Sequence, residues 1–143
     1  MARKKALASG RRSKFEDRIA KELKDAGVKF TYETYSYEYD EMLRKNMARC
    51  GDCGSTDLIR TGWYTPDFFL DNGVIIETKG RFTAADRRKH IAVREAHPEL
   101  RIVMLFMRDN KIHKNSNTYY SDWCMSHNIE FAIGSPLKEW LHG

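Results

Sequence analysis

Hydrophobic side chains recur at Phe15, Ile19, Leu23 and Ala26, the three- and four-residue spacing of a helix with one apolar face. Ser13 precedes them as a cap and Gly27 follows as a terminator, which predicts a helix to about residue 26. Glu16 stands three residues after Ser13, the spacing of a capping box. The period then switches to two. Residues 28–39 alternate apolar and polar positions, as one long strand or two broken ones, with Tyr32, Tyr35, Tyr37 and Tyr39 read as sheet packing in preference to base stacking. From about 40 to 62 the chain is polar and irregular, an insertion between strands. Two runs rich in aromatic and β-branched residues then flank Asp71-Asn72-Gly73, which predicts a hairpin. Thr83 caps a helix to about residue 97, where Pro98 stops it, and residues 101–107 read as a buried strand. A short helix over 121–127 ends at Asn128, a strand covers 129–133, and Ser135-Pro136 opens a last helix through Trp140.

Loop length decides where the charges of the hairpin go. A two-residue Asn-Gly turn sets Asp67 and Glu77 on opposite faces. A three-residue loop with Gly73 in the left-handed position pairs Leu70 with Val74 and places Asp67 across from Glu77. The registers exclude each other, and the sequence reading adopts the three-residue loop. Lys79 then shares the face of Glu77, with the Thr78 carbonyl close by. Opposed residues have Cβ atoms about 5 Å apart, so two such carboxylates repel unless a cation separates them. Oxygen ligands favour Mg²⁺ or Mn²⁺ over zinc, and Lys79 can hold a phosphate or position a water, which is metal-assisted phosphodiester hydrolysis. The alternative is ordinary cross-strand pairing at a sheet edge. The apolar setting of Phe68, Phe69, Val74, Ile75 and Ile76 favours the metal, because a buried strand pair holds unpaired charge at a high cost. For Glu16, capping and metal ligation both fit the pattern.

Composition narrows the class. A chain of 143 residues, 41% hydrophobic, supports one globular domain, and no apolar run is long enough for a membrane span. No secretory leader is visible, and three cysteines suit a reducing cytoplasm. The net charge of +5 is uneven: the first fifteen residues hold six of the 25 Lys and Arg and none of the 20 acids, leaving 19 basic residues against 20 acidic ones. Residues 1–12 therefore read as a flexible basic arm ahead of a single domain over 13–143, and Arg3, Lys4, Lys5, Arg11, Arg12 and Lys14 as contacts to a nucleic-acid backbone. A second cluster, Arg81, Arg87, Arg88, Lys89 and Arg94, begins beside Lys79 and is read the same way, a solvated helix face being the alternative for its helical members. Cys50 and Cys53 have the spacing of half a zinc site. Cys124 with His127, or a second copy across a dimer axis, can complete it; the alternative is a reduced pair in a tight turn.

Several motifs in fixed order now carry a resemblance. They are Phe15-Glu16-Asp17, Tyr64-Thr65-Pro66-Asp67-Phe68, Glu77-Thr78-Lys79-Gly80, Asp86-Arg87-Arg88-Lys89-His90, the stretch from Arg94 to Leu100, and Lys138-Glu139-Trp140. From about residue 13 to 140 the chain resembles the endonuclease I family of T-odd bacteriophages, Holliday-junction resolvases with a PD-(D/E)xK core. The resemblance implies an α/β fold, a restriction-endonuclease-like mixed sheet flanked by helices, in a strand-exchanged homodimer. It implies Asp67, Glu77, Thr78 and Glu16 as ligands of two Mg²⁺ or Mn²⁺ ions, Lys79 as the active-site lysine, and Glu16 completing the partner's site. The expected substrate is branched DNA, the four-way junction above all, with no membrane or small-molecule partner. The Cys-containing insertion and the lack of a basic C-terminal tail depart from the family pattern. The rival readings are a sequence-specific restriction or transposon-end nuclease, a non-catalytic DNA-binding protein on the same fold, and a zinc-stabilised interaction module.

Overall fold

A computed structural model describes residues 2–4, 13–42 and 59–142. In chain order its elements are β1 (Ala2–Lys4), α1 (Lys14–Asp25), β2 (Phe30–Tyr32), β3 (Tyr35–Met42), β4 (Ile59–Tyr64), β5 (Phe68–Leu70), β6 (Val74–Lys79), α2 (Ala84–Ala96), β7 (Arg101–Phe106), α3 (Tyr120–Ser126), β8 (Phe131–Ile133) and α4 (Lys138–His142). The first helix starts as its sequence specifies: the Ser13 hydroxyl accepts the Glu16 amide at 3.2 Å. Gly27 ends it at φ +74°, a conformation open to glycine at little cost.

Five strands form the main sheet in the order β2-β5-β6-β7-β8. The pairs β2/β5 and β5/β6 are antiparallel, while β6/β7 and β7/β8 are parallel. This is a mixed α/β sheet, and α2 and α3 are the crossovers that its parallel pairs need. Thr83 and Asp86 close a capping box at the start of α2. Strand β6 is buried on both faces, which is why it reads as a continuous apolar run. Val74 and Ile76 pack with Phe15, Ile19 and Leu23 of α1, whereas Ile75 packs with Val93 of α2 and with Tyr37, Tyr39 and Tyr64. The tyrosines of β3 that turn inward are thus packing groups, as their alternation suggested.

The stretch 28–39 is two strands in two sheets, broken where Glu33 adopts φ +45°. Strand β3 belongs to a second, antiparallel sheet in the order β1-β3-β4. It also extends past the expected start of the insertion, pairing Glu41 with Arg60 and Met42 with Ile59. Polar composition hid this. Glu41 is only 3% exposed, and its two carboxylate oxygens meet Arg60 at 2.6 Å and Arg88 at 3.3 Å, so a charged residue occupies a buried strand position. Residues 43–58, with Cys50 and Cys53, lie outside the described residues. Of the arm read as flexible, Ala2–Lys4 form an edge strand against β3, and residues 5–12 lie outside the described residues. The later elements appear in the expected order with ends shifted by one or two residues. No helix among the described residues is long and apolar enough to cross a membrane.

Candidate active site

The hairpin between β5 and β6 adopts the three-residue loop. Gly73 donates its amide to the Leu70 carbonyl at 2.9 Å and has φ +90°. Phe68 pairs with Ile76 and Phe69 with Ile75, a register that continues to set Asp67 opposite Glu77. Asn72 braces the turn, accepting from the Val74 amide at 3.1 Å and donating to the Trp140 carbonyl at 2.8 Å.

Glu77 is buried at the carboxyl end of β6. Its Oε2 accepts from the Tyr64 hydroxyl at 2.8 Å and from the Asp67 amide at 3.4 Å, while its Oε1 lies 3.9 Å from the Lys79 ammonium. Burial, and then the charge of Asp67, push this carboxyl up to about 8. Lys79 also reaches Asp86 at 3.4 Å. Asp67 Oδ2 accepts from the Thr78 amide at 2.9 Å and from its hydroxyl at 2.7 Å. Burial outweighs these hydrogen bonds and raises the Asp67 carboxyl to about 6, with the charge of Glu16 adding to the rise. Thr78 thus enters the site through its amide and hydroxyl, whereas the sequence pointed to its carbonyl.

Glu16 sits at the helix cap and beside Asp67 at once. Its Oε1 accepts from the Ser13 hydroxyl at 3.0 Å, closing the helix cap, and its Oε2 accepts from the Tyr32 hydroxyl. From there it faces Asp67 within the same chain. Glu33, absent from the sequence reading, joins them: one oxygen from each of Glu16, Glu33 and Asp67 lies within 4.8 Å of the other two. The Glu33 amide donates to the Asp67 carbonyl at 3.0 Å, so the kink between β2 and β3 brings it in. Its only sequence signal was the break in alternation at Glu33-Thr34, where two polar residues follow one another. The tight acidic trio therefore excludes Glu77, and Asp67 links the two, with its amide on Glu77 and its carboxylate near Glu16 and Glu33. Acidic oxygens in excess of nearby cations, with the Asp67 and Glu77 carboxyls raised by burial first and by neighbouring carboxylates second, are a donor set that fits a hard divalent cation.

Several residues read as DNA contacts point elsewhere. Arg87 donates to the Phe82 carbonyl at 2.7 Å, Arg88 pairs with Glu41, and Arg94 is half-buried with its guanidinium on the Ile102 carbonyl at 2.7 Å. Lys89 sits over the Tyr64 ring at 5.7 Å. Arg81 and Lys14 are exposed. The backbones of Arg3 and Lys4 are in β1, and Lys5, Arg11 and Arg12 lie outside the described residues. Cys124 cannot supply the missing zinc ligands in this conformation: it is buried against Phe82, Phe106 and Trp123, and burial pushes its thiol up to about 12. His127 stacks on Trp123 with 4.1 Å between ring centroids.

The molecule is thus a mixed α/β domain with an acid-and-lysine cluster at the carboxyl end of β6, the central strand of its main sheet. Residues 58–142 match the model of a family described as Phage endonuclease I. "Endodeoxyribonuclease 1" of Enterobacteria phage T3 is 39% identical over 122 residues, covering 85% of this chain and 70% of that protein. "Endonuclease I" of Escherichia phage T7 is 37% identical over 131 residues, covering 91% of this chain and 77% of that protein. The chain belongs to the phage endonuclease I family.

Proposed function

We propose that the chain is a metal-dependent DNA endonuclease that resolves four-way and other branched junctions as a homodimer. The observation that carries the reading is the convergence of Asp67, Glu77, Lys79 and Glu16, four residues spread over 64 positions, around the carboxyl end of the central strand β6. The names of the T3 and T7 relatives, an endodeoxyribonuclease and an endonuclease, support DNA as the substrate.

Asp67, Glu77 and Glu16 would hold two Mg²⁺ or Mn²⁺ ions, with Glu33 as a further oxygen donor. Bound there, the metal supplies Lewis-acid stabilisation of charge on the phosphate and a water of lowered pKa. The chain's own groups do the positioning. Tyr64 and the Asp67 amide fix Oε2 of Glu77 and leave Oε1 facing Lys79. The Thr78 amide and hydroxyl fix Oδ2 of Asp67. Lys79 holds a non-bridging phosphate oxygen or orients the attacking water. In-line attack by that water then breaks the bond from phosphorus to the 3′ oxygen, leaving a 5′-phosphate and a 3′-hydroxyl. Exchange of α1 and β2 between two copies would recreate the Glu16–Asp67 proximity across chains and give one dimer two sites.

A gel comparing a four-way junction with matched linear duplex, in Mg²⁺ and in Ca²⁺, tests this. Paired Mg²⁺-dependent cuts at the branch are expected. Cutting of intact duplex at one sequence, without branch preference, would favour a restriction or transposon-end nuclease. Binding with no metal-dependent nicking would favour a non-catalytic DNA-binding protein.

A further inference from the structure

Four of the cations that sequence assigned to DNA, Arg87, Arg88, Lys89 and Arg94, are engaged within the domain, which raises the question of where further free positive charge meets the site. It meets it at the end of β7. The Met107 amide donates to the Lys79 carbonyl at 3.0 Å, so the loop that follows β7 is rooted one strand from the active-site lysine. Neighbouring strands lie about 4.8 Å apart, and ligands of open α/β sheets gather outside the carboxyl ends of their parallel strands.

Residues 107–119 form an ordered finger. Lys111 and Tyr119 bridge antiparallel, and the Ile112 amide donates to the Thr118 carbonyl at 2.9 Å. Half-buried Ile112 anchors the base against the cluster of Phe82, Phe106 and Tyr120. The finger's single acid, Asp109, is taken up by the amide and hydroxyl of Ser121. Arg108, Lys111 and Lys114 are exposed, and their side chains make no hydrogen bond or ion pair with any described residue. A rigid base, three unengaged cations and a root beside Lys79 are the features of a surface that tracks a phosphate backbone.

We propose that this finger is a backbone clamp for the DNA strand held at the acidic cluster, with Arg108, Lys111 and Lys114 as its phosphate contacts; the assignment rests on the nuclease reading above. It adds a binding surface on the β7–α3 connection, where the sequence reading had named only the N-terminal arm and the cluster from Arg81 to Arg94.

The test is junction binding in Ca²⁺ across a salt series, alongside cleavage in Mg²⁺. The triple variant Arg108→Gln, Lys111→Gln, Lys114→Gln is compared with a charge-matched control, Lys24→Gln, Lys29→Gln, Lys138→Gln. The control residues are exposed and lie toward the opposite end of the sheet, near the hairpin loop. Each lost phosphate contact lowers the slope of log affinity against log salt by roughly 0.9. The finger variant is therefore expected to lose about 2–3 from that slope and to bind at least tenfold more weakly near 50 mM salt, with the control unchanged. If the wild-type chain cleaves but the finger variant keeps the control's slope and affinity, the clamp is overturned and the nuclease reading stands. If the wild-type chain neither binds nor nicks DNA, both fall.

Discussion

Glu77→Gln isolates the electrostatic tension of the site. Burial and the adjacent Asp67 move this carboxyl from 4.5 up to about 8. Its folded pKa lies above its unfolded one, so its contribution to stability is intact below pH 4.5 and is lost as pH rises toward 8. Each pH unit in that window costs about 1.4 kcal/mol. The ionised carboxylate at pH 8 therefore costs on the order of 4 kcal/mol in the metal-free fold. Glutamine preserves the shape. Both donors reach the same oxygen, Oε2, so the new carbonyl oxygen can accept them while the amide nitrogen replaces Oε1. With EDTA at pH 8, thermal unfolding of the variant is expected roughly 10 °C above the parent, taking about 3 °C per kcal/mol for a chain of this size. The gap closes toward pH 5. Adding Mg²⁺ at pH 8 narrows it by stabilising the parent, while the variant binds junctions and no longer cuts them. A variant that melts below the parent at pH 8, or by the same margin at both pH values, would refute the reasoning.

Three further predictions follow from named contacts. Glu33→Gln removes one oxygen donor beside Asp67 and Glu16, and the Mg²⁺ concentration for half-maximal cleavage is expected to rise about tenfold; an unchanged Mg²⁺ dependence removes Glu33 from the site. His90 is buried with its Nδ1 unpartnered among the described residues, and burial followed by the charge of Arg94 pushes it down to about 3. Its stabilising contribution is present above pH 6.5 and is lost as pH falls toward 3, amounting to about 2 kcal/mol by pH 5. Nitrogen NMR should find this imidazole neutral at pH 5, and a midpoint above that value contradicts the burial. Ile19→Ala empties a fully buried position of α1 and is expected to lower unfolding stability by about 2–4 kcal/mol in urea; a loss below about 1 kcal/mol would show that the site collapses freely.

Local chemistry explains which parts of this structure were legible in the sequence. Ser13 with Gly27 bounded α1 and Thr83 with Asp86 opened α2, because caps act within one turn. Gly73 gave the hairpin register for the same reason, being the loop position where a positive φ is needed. What stayed hidden depends on partners far along the chain. Glu41 can lie in a strand because Arg88, 47 positions away, neutralises it. Arg94 resembles a surface cation until the Ile102 carbonyl is placed beside it. Glu33 reaches the acidic cluster only because β2 and β3 enter different sheets, a topological fact that the alternation marks only by its break at Glu33-Thr34.

The turn at residues 71–73 separates length from phase. Residues added between Leu70 and Val74 enlarge the loop and can leave those two paired, so that Phe68 stays in the core and Asp67 stays across from Glu77. A residue gained or lost inside β5 or β6 instead turns every position beyond it to the other face. Insertions and deletions tolerated in this hairpin, whether in relatives or in a selected library, should therefore gather at 71–73 and spare the two strands.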